Sequence, residues 1–156
     1  LAAVWMQRQG VTHADFAVNH PAGALGRQLT LCVADLMVPI NQCPPLLPDA
    51  ALADVVDHLT GALAGAAWVQ QPDQPNRLLG LITDGDLRRA LFNHDSLDGL
   101  TAESVMTRSP MLINENEMFA DAENIMLKAS ITSLLVVSEQ GALSGVLKLQ
   151  DAGRVV

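Results

Sequence analysis

Aromatic side chains are nearly absent from this 156-residue chain: they make up 3% of it, with two tryptophans, three phenylalanines and no tyrosine. Positive charge is scarce as well, nine lysines and arginines standing against seventeen acidic residues for a formal net charge of -8. A nucleic-acid surface needs a basic footprint and usually stacking rings, so that class of partner is excluded. Only two cysteines occur, Cys32 and Cys43, too few for a disulfide framework and wrongly spaced for a metal site. Free thiols of this kind suit a reducing cytoplasm, the expected compartment. No apolar run reaches the roughly 18 residues that span a bilayer, so a membrane is not an expected partner. What is present is a globular composition, 49% hydrophobic and 17% charged, enough for one domain or two small coupled ones.

The most informative segment is Gly80-Leu81-Ile82-Thr83-Asp84-Gly85-Asp86-Leu87-Arg88-Arg89, because a degraded copy follows at Gly145-Val146-Leu147-Lys148-Leu149-Gln150-Asp151-Ala152. Each copy has an upstream anchor, Asp35-Leu36-Met37 for the first and Ser104-Val105-Met106 for the second. The interval from anchor to motif is slightly longer in the first half. The polar, Pro-bearing residues 71–76 absorb the excess as a longer hairpin loop. Two copies are too few for a solenoid, where about three or more are needed, so a pseudo-symmetric pair sharing one core is expected.

Both halves run in the same order. Asp49 is placed to cap a helix with apolar positions Leu52, Val55, Val56, Leu59 and Leu63. Asn114 and Glu117 form the corresponding capping pair before Met118, Phe119, Ala122, Ile125 and Met126. Residues 67–69 and 78–82 read as strands, matched by 134–137 and 143–147, and such short apolar runs suit a sheet covered by helices. Each half is thus an α/β unit of the form strand, helix, strand, strand, helix, with residues 96–101 as the connection. At the amino end, Leu1, Val4 and Trp5 form an apolar face on a helix closed by Gly10, which predicts a piece cut from a longer polypeptide.

The motif has its own chemical logic. A strand ends at Ile82, and Thr83 and Asp84 supply acceptors where a helix starts at Gly85 or Asp86. Open amides there can hold an anion, the Thr83 hydroxyl can donate to a phosphate, and Asp86 can accept from ribose hydroxyls. Arg88 and Arg89 bring charge suited to phosphate or carboxylate. The plainer alternative is that Thr83 and Asp86 cap the helix while the arginines are solvated.

With both anchors and both motifs in place, the chain resembles a tandem cystathionine-β-synthase-type pair, a CBS pair or Bateman module. The stretch His13-Ala14-Asp15-Phe16-Ala17-Val18-Asn19-His20-Pro21-Ala22-Gly23-Ala24-Leu25-Gly26-Arg27-Gln28-Leu29 resembles the junction found in bacterial arabinose-5-phosphate isomerases, in which a SIS domain precedes a CBS pair. Thr83-Asp84-Gly85-Asp86-Leu87-Arg88-Arg89 is similar to that family's form of the first motif. The resemblance implies residues 1–29 as the end of a SIS domain and linker, 30–95 as the first CBS domain and 96–156 as the second.

It further implies a parent enzyme interconverting D-ribulose 5-phosphate and D-arabinose 5-phosphate, the Kdo precursor, by proton transfer without a redox cofactor. His20 falls at the family's active-site histidine, a role reserved for the full-length parent; in this chain the plainer reading is a junction residue packed beside Pro21, and the chain itself is not expected to turn over substrate. The pair is then a regulatory site for CMP-Kdo, CMP or an adenine nucleotide, with Thr83, Asp84, Asp86, Arg88 and Arg89 as contacts. Lys148 replaces the Ser or Thr expected in the second copy, which retains Asp151. That lysine either meets a phosphate as a point charge or faces solvent. A competing expectation is a structural module that assembles dimers, and a tetramer in the parent, through residues 87–92 and 151–156. His58 and His94 form no ligand cluster with His13 or His20, and Met37, Met106, Met111, Met118 and Met126 read as core or cleft fillers.

Overall fold

The computed structural model describes residues 31–62 and 65–149. The first half contains α1 (Val33–Leu36), β1 (Val38–Pro39), a single 3-10 turn (Ile40–Gln42), α2 (Leu52–Gly61), β2 (Ala66–Gln71), β3 (Gln74–Thr83) and α3 (Asp84–Asn93). The second contains α4 (Ala102–Val105), β4 (Leu112–Asn114), α5 (Phe119–Ala129), β5 (Ser133–Val137) and β6 (Leu143–Lys148). The result is the expected α/β architecture of two repeated units, with the closing helix expected of the second half lying outside the described residues. The hairpin between β2 and β3 is tighter than expected, because Gln71 and Gln74 remain paired and only Pro72 and Asp73 form the turn.

Strand alternation explains why both sheets read as continuous apolar runs. Ala67, Val69 and Ile82 point to α2, where Leu52, Val55 and Leu59 close the first core. Leu134, Val136 and Leu147 point to Phe119, Ala122 and Met126 of α5 in a second core. The opposite faces meet each other: Ala66, Trp68 and Leu81 pack with Leu135, Val146 and Cys43 in a third, central core. The Trp68 indole donates to the Cys43 carbonyl at 2.6 Å, satisfying its one donor inside that layer. Burial pushes the Cys43 thiol pKa up. Val56, assigned to the buried face from spacing, is 42% exposed, since the apolar stripe of α2 is narrower than its run of hydrophobic residues.

The anchors do not serve their own motifs. β1 pairs antiparallel with β6 of the other half in a four-stranded sheet ordered β1-β6-β5-β4, and Thr107 forms the equivalent bridge to Leu81. A Cβ placed on Gly145 would lie 2.5 Å from the Val38 carbonyl oxygen and 2.9 Å from the Met37 sulfur. On Gly80 it would lie 2.7 Å from both the Thr107 carbonyl oxygen and the Met106 sulfur. Each motif glycine is therefore the notch for the other half's methionine. The cores follow suit, Val33 joining the second and Ala102 with Met106 joining the first.

The same crossing corrects two cap assignments. The N-caps are Ala51 for α2 and Met118 for α5, neither of which has a side-chain acceptor, so Asp49 and the Asn114–Glu117 pair do not cap. Chain from the other half supplies the acceptors: the Leu52 amide donates to the Leu100 carbonyl at 3.1 Å and the Phe119 amide to the Leu31 carbonyl at 2.9 Å. Backbone carbonyls do there what a capping side chain does elsewhere. Asn114 instead accepts from the Asn116 amide at 2.9 Å and shapes a turn.

Candidate functional site

Thr83 ends β3 and caps α3, which begins at Asp84, just before the expected start. The Asp86 carboxylate, 5% exposed, draws the helix start inward. It accepts from the Thr83 amide at 2.8 Å, the Thr83 hydroxyl at 2.7 Å and the Thr107 hydroxyl at 2.9 Å, and it pairs with the Arg89 guanidinium. The capping alternative is thus realised here. Thr83 has directed its proton to Asp86 and offers the space beyond only lone pairs. Thr107 was not foreseen. The one hint was its place directly after the anchor methionine, where Val38 stands in the other half.

A cleft of about 540 Å³ opens beside this network, between the two halves. Thr83, Asp84, Asp86, Arg88, Arg89 and Lys148 all line it, so the two motif copies converge on one space. Asp151 and His20 lie outside the described residues. Apolar surface comes from Leu81, Pro110, Met111 and Ile131, and further hydroxyls from Ser109, Ser130, Thr132 and Ser133. Among the described lining residues, three cations stand against two carboxylates, an unusual balance on a chain of net charge -8. A second hollow of about 590 Å³, against α2, is lined by Asp49, Asp57 and Asp98 and, among the described residues, by no lysine or arginine. Charge alone directs an anion to the first cleft and away from the second.

Ser133 is the other unforeseen residue. It is 6% exposed, and its hydroxyl has no hydrogen-bond partner among the described residues, which is rare for a buried polar atom. Its position at the first residue of β5, opposite Lys148 in the register, follows from strand pairing that a sequence does not display. Among the described residues no group of three or more His, Cys, Asp or Glu side chains is placed to hold a metal ion.

Two α/β units, interlocked through each other's anchors over a shared cleft, have the architecture of a tandem CBS-domain pair. The CBS domain family model matches residues 102–155. Over most of its length the chain is homologous to arabinose 5-phosphate isomerases of the KpsF and KdsD type. The chain is 38% identical over 137 residues to arabinose 5-phosphate isomerase KpsF of Escherichia coli, covering 88% of this chain and 41% of that one. It is 36% identical over 151 residues to arabinose 5-phosphate isomerase KdsD of Yersinia pestis, covering 97% and 45%. The chain therefore spans less than half the length of the curated relatives it matches. Among solved structures, a CBS domain protein from Pyrobaculum aerophilum complexed with AMP superposes with a TM-score of 0.64 at 25% identity, covering 78% of this chain and 89% of that one.

Proposed function

We propose that the chain is the regulatory part of a D-arabinose-5-phosphate isomerase of Kdo biosynthesis, and that its cleft takes a nucleotide or nucleotide sugar. The observation that carries the reading is the cleft itself, which gathers both motif copies and an excess of cations on an acidic chain. Its size falls within the range of small-molecule sites, with apolar walls for a base and polar groups for ribose and phosphate. The relatives' activity supplies the context, and the AMP complex of a similar fold supplies the ligand class. CMP-Kdo, the product-side nucleotide sugar of the pathway, is the leading effector, with CMP and adenine nucleotides behind it. Proton transfer between the sugar phosphates is assigned to the SIS part of a longer protein, where His20 contributes.

A thermal-shift and calorimetric series with CMP-Kdo, CMP, AMP and ATP tests the reading. Saturation at about 100 times Kd stabilises by about 2.7 kcal/mol, a shift of several degrees for a domain of this size. No shift with any of the four overturns it.

A second reading has its own observation. Leu91 and Phe92, within the segment expected at an interface, are 59% and 91% exposed at the end of α3. An apolar pair so displayed suits self-association into CBS dimers and a tetrameric parent. Light scattering with and without nucleotide separates assembly from sensing.

A further inference from the structure

We infer that the effector's phosphate is anchored in the second half of the cleft, by the Lys148 ammonium and the Ser133 hydroxyl, and not by the motif at Thr83 and Asp86. This rests on the cleft being a nucleotide site, as proposed above.

The Thr83 and Asp86 side chains of the first motif are already engaged with their own neighbours. Asp86 receives the Thr83 amide and hydroxyl, the Thr107 hydroxyl and Arg89. A phosphate brought to the start of α3 would find that amide and both hydroxyl protons committed and would face the carboxylates of Asp84 and Asp86. Arg89 has its charge opposed by Asp86 before any ligand arrives.

The second half is the reverse. Ser133 and Lys148 are direct partners across the antiparallel β5–β6 ladder, so their side chains leave the same face with Cβ atoms about 5 Å apart. Ser133 carries a buried hydroxyl without a partner among the described residues, a donor whose desolvation is uncompensated until something accepts from it. Lys148 is half-buried, and no described carboxylate lies within ion-pair distance of it. Its ammonium crosses to the first half and lies over Gly65, where a Cβ would collide with Nζ. Gly65 has φ +54°, so the backbone there also favours the residue that leaves the passage open. A point charge and an orphan donor, side by side on one wall of the cleft, suit a phosphate oxygen.

The test compares AMP with adenosine and CMP with cytidine by calorimetry on the full 156-residue chain. The expected result is that the nucleotide binds more tightly than its nucleoside. Lys148→Met then removes that gain, at least about tenfold for a lost charge-assisted contact, and leaves the nucleoside unchanged. Ser133→Ala weakens the nucleotide several-fold while the unliganded melting temperature holds or rises, because an unsatisfied buried hydroxyl has been deleted. A merely structural serine would instead lower the unliganded melting temperature and leave the nucleotide affinity unchanged. If the gain survives both substitutions, or disappears with Arg88→Met and not Lys148→Met, the anchor lies at α3 and the inference is overturned while the cleft reading stands. Should neither nucleotide bind the unaltered chain, the cleft reading itself falls and takes the anchor with it.

Discussion

The two halves share a backbone plan and differ in what stands at the end of their longer strand: Thr83 in the first, Lys148 in the second. In the first half the polar groups close on one another around Asp86, and the network fastens α3 to the Thr107 segment of its neighbour. In the second, Lys148 projects across the cleft and the Ser133 hydroxyl has no partner among the described residues. The pseudo-symmetry therefore belongs to glycine notches, anchors and cores, and the asymmetry to side-chain polarity. A duplicated frame can hold its shape with one motif while the other is left to diverge in chemistry.

The comparison breaks most visibly at paired core positions. Ile82 and Leu147 occupy equivalent places and are both fully buried. Truncating either to alanine is expected to lose about 2–5 kcal/mol in urea unfolding, with one cooperative transition because each half's core contains the other's anchor. Two resolved transitions would show that the halves stand independently.

A smaller effect isolates the closed network. Asp86→Ala leaves the Thr83 amide and the Thr83 and Thr107 hydroxyls without their acceptor, an expected loss of about 2–3 kcal/mol. Arg89 adds little, since its guanidinium is 65% exposed. A melting temperature unchanged by Asp86→Ala would mean that this carboxylate is held for a ligand and not for the fold.

Smallest, and sharpest for the symmetry, are the two notches. Gly80→Ala and Gly145→Ala should each cost about 1–2 kcal/mol from overpacking, measured by the same unfolding. Gly145 should suffer more, because its closest obstacle is a backbone carbonyl at 2.5 Å, whereas Gly80 meets its neighbours at 2.7 Å. Equal or reversed losses would place the flexible methionines, and not the strand crossing, in control of the approach.

Much of this was legible beforehand for identifiable reasons. The helices over Leu52–Gly61 and Phe119–Ala129 announce themselves by apolar spacing, and the strands by short runs too apolar for a one-sided sheet. The convergence of Thr83, Asp84, Asp86, Arg88, Arg89 and Lys148 on one cleft follows from reading the segments as copies. The failures share a cause. Asp49, Asn114 and Glu117 were assigned caps because local acceptors are all that a sequence exhibits, while the acceptors used are carbonyls from the opposite half. Thr107 and Ser133 were missed because each matters through a partner on another strand.

By itself the sequence determined the repeat, the element types and the family likeness, since these depend on residue type and spacing along one chain. Only the tertiary structure decided which anchor fills which glycine notch, that Asp86 is taken up by four internal donors, and that Ser133 lies opposite Lys148 with no hydroxyl partner among the described residues. Those outcomes depend on strand register and chain crossing, where the contacts join residues far apart in the chain and no local preference specifies the pairing.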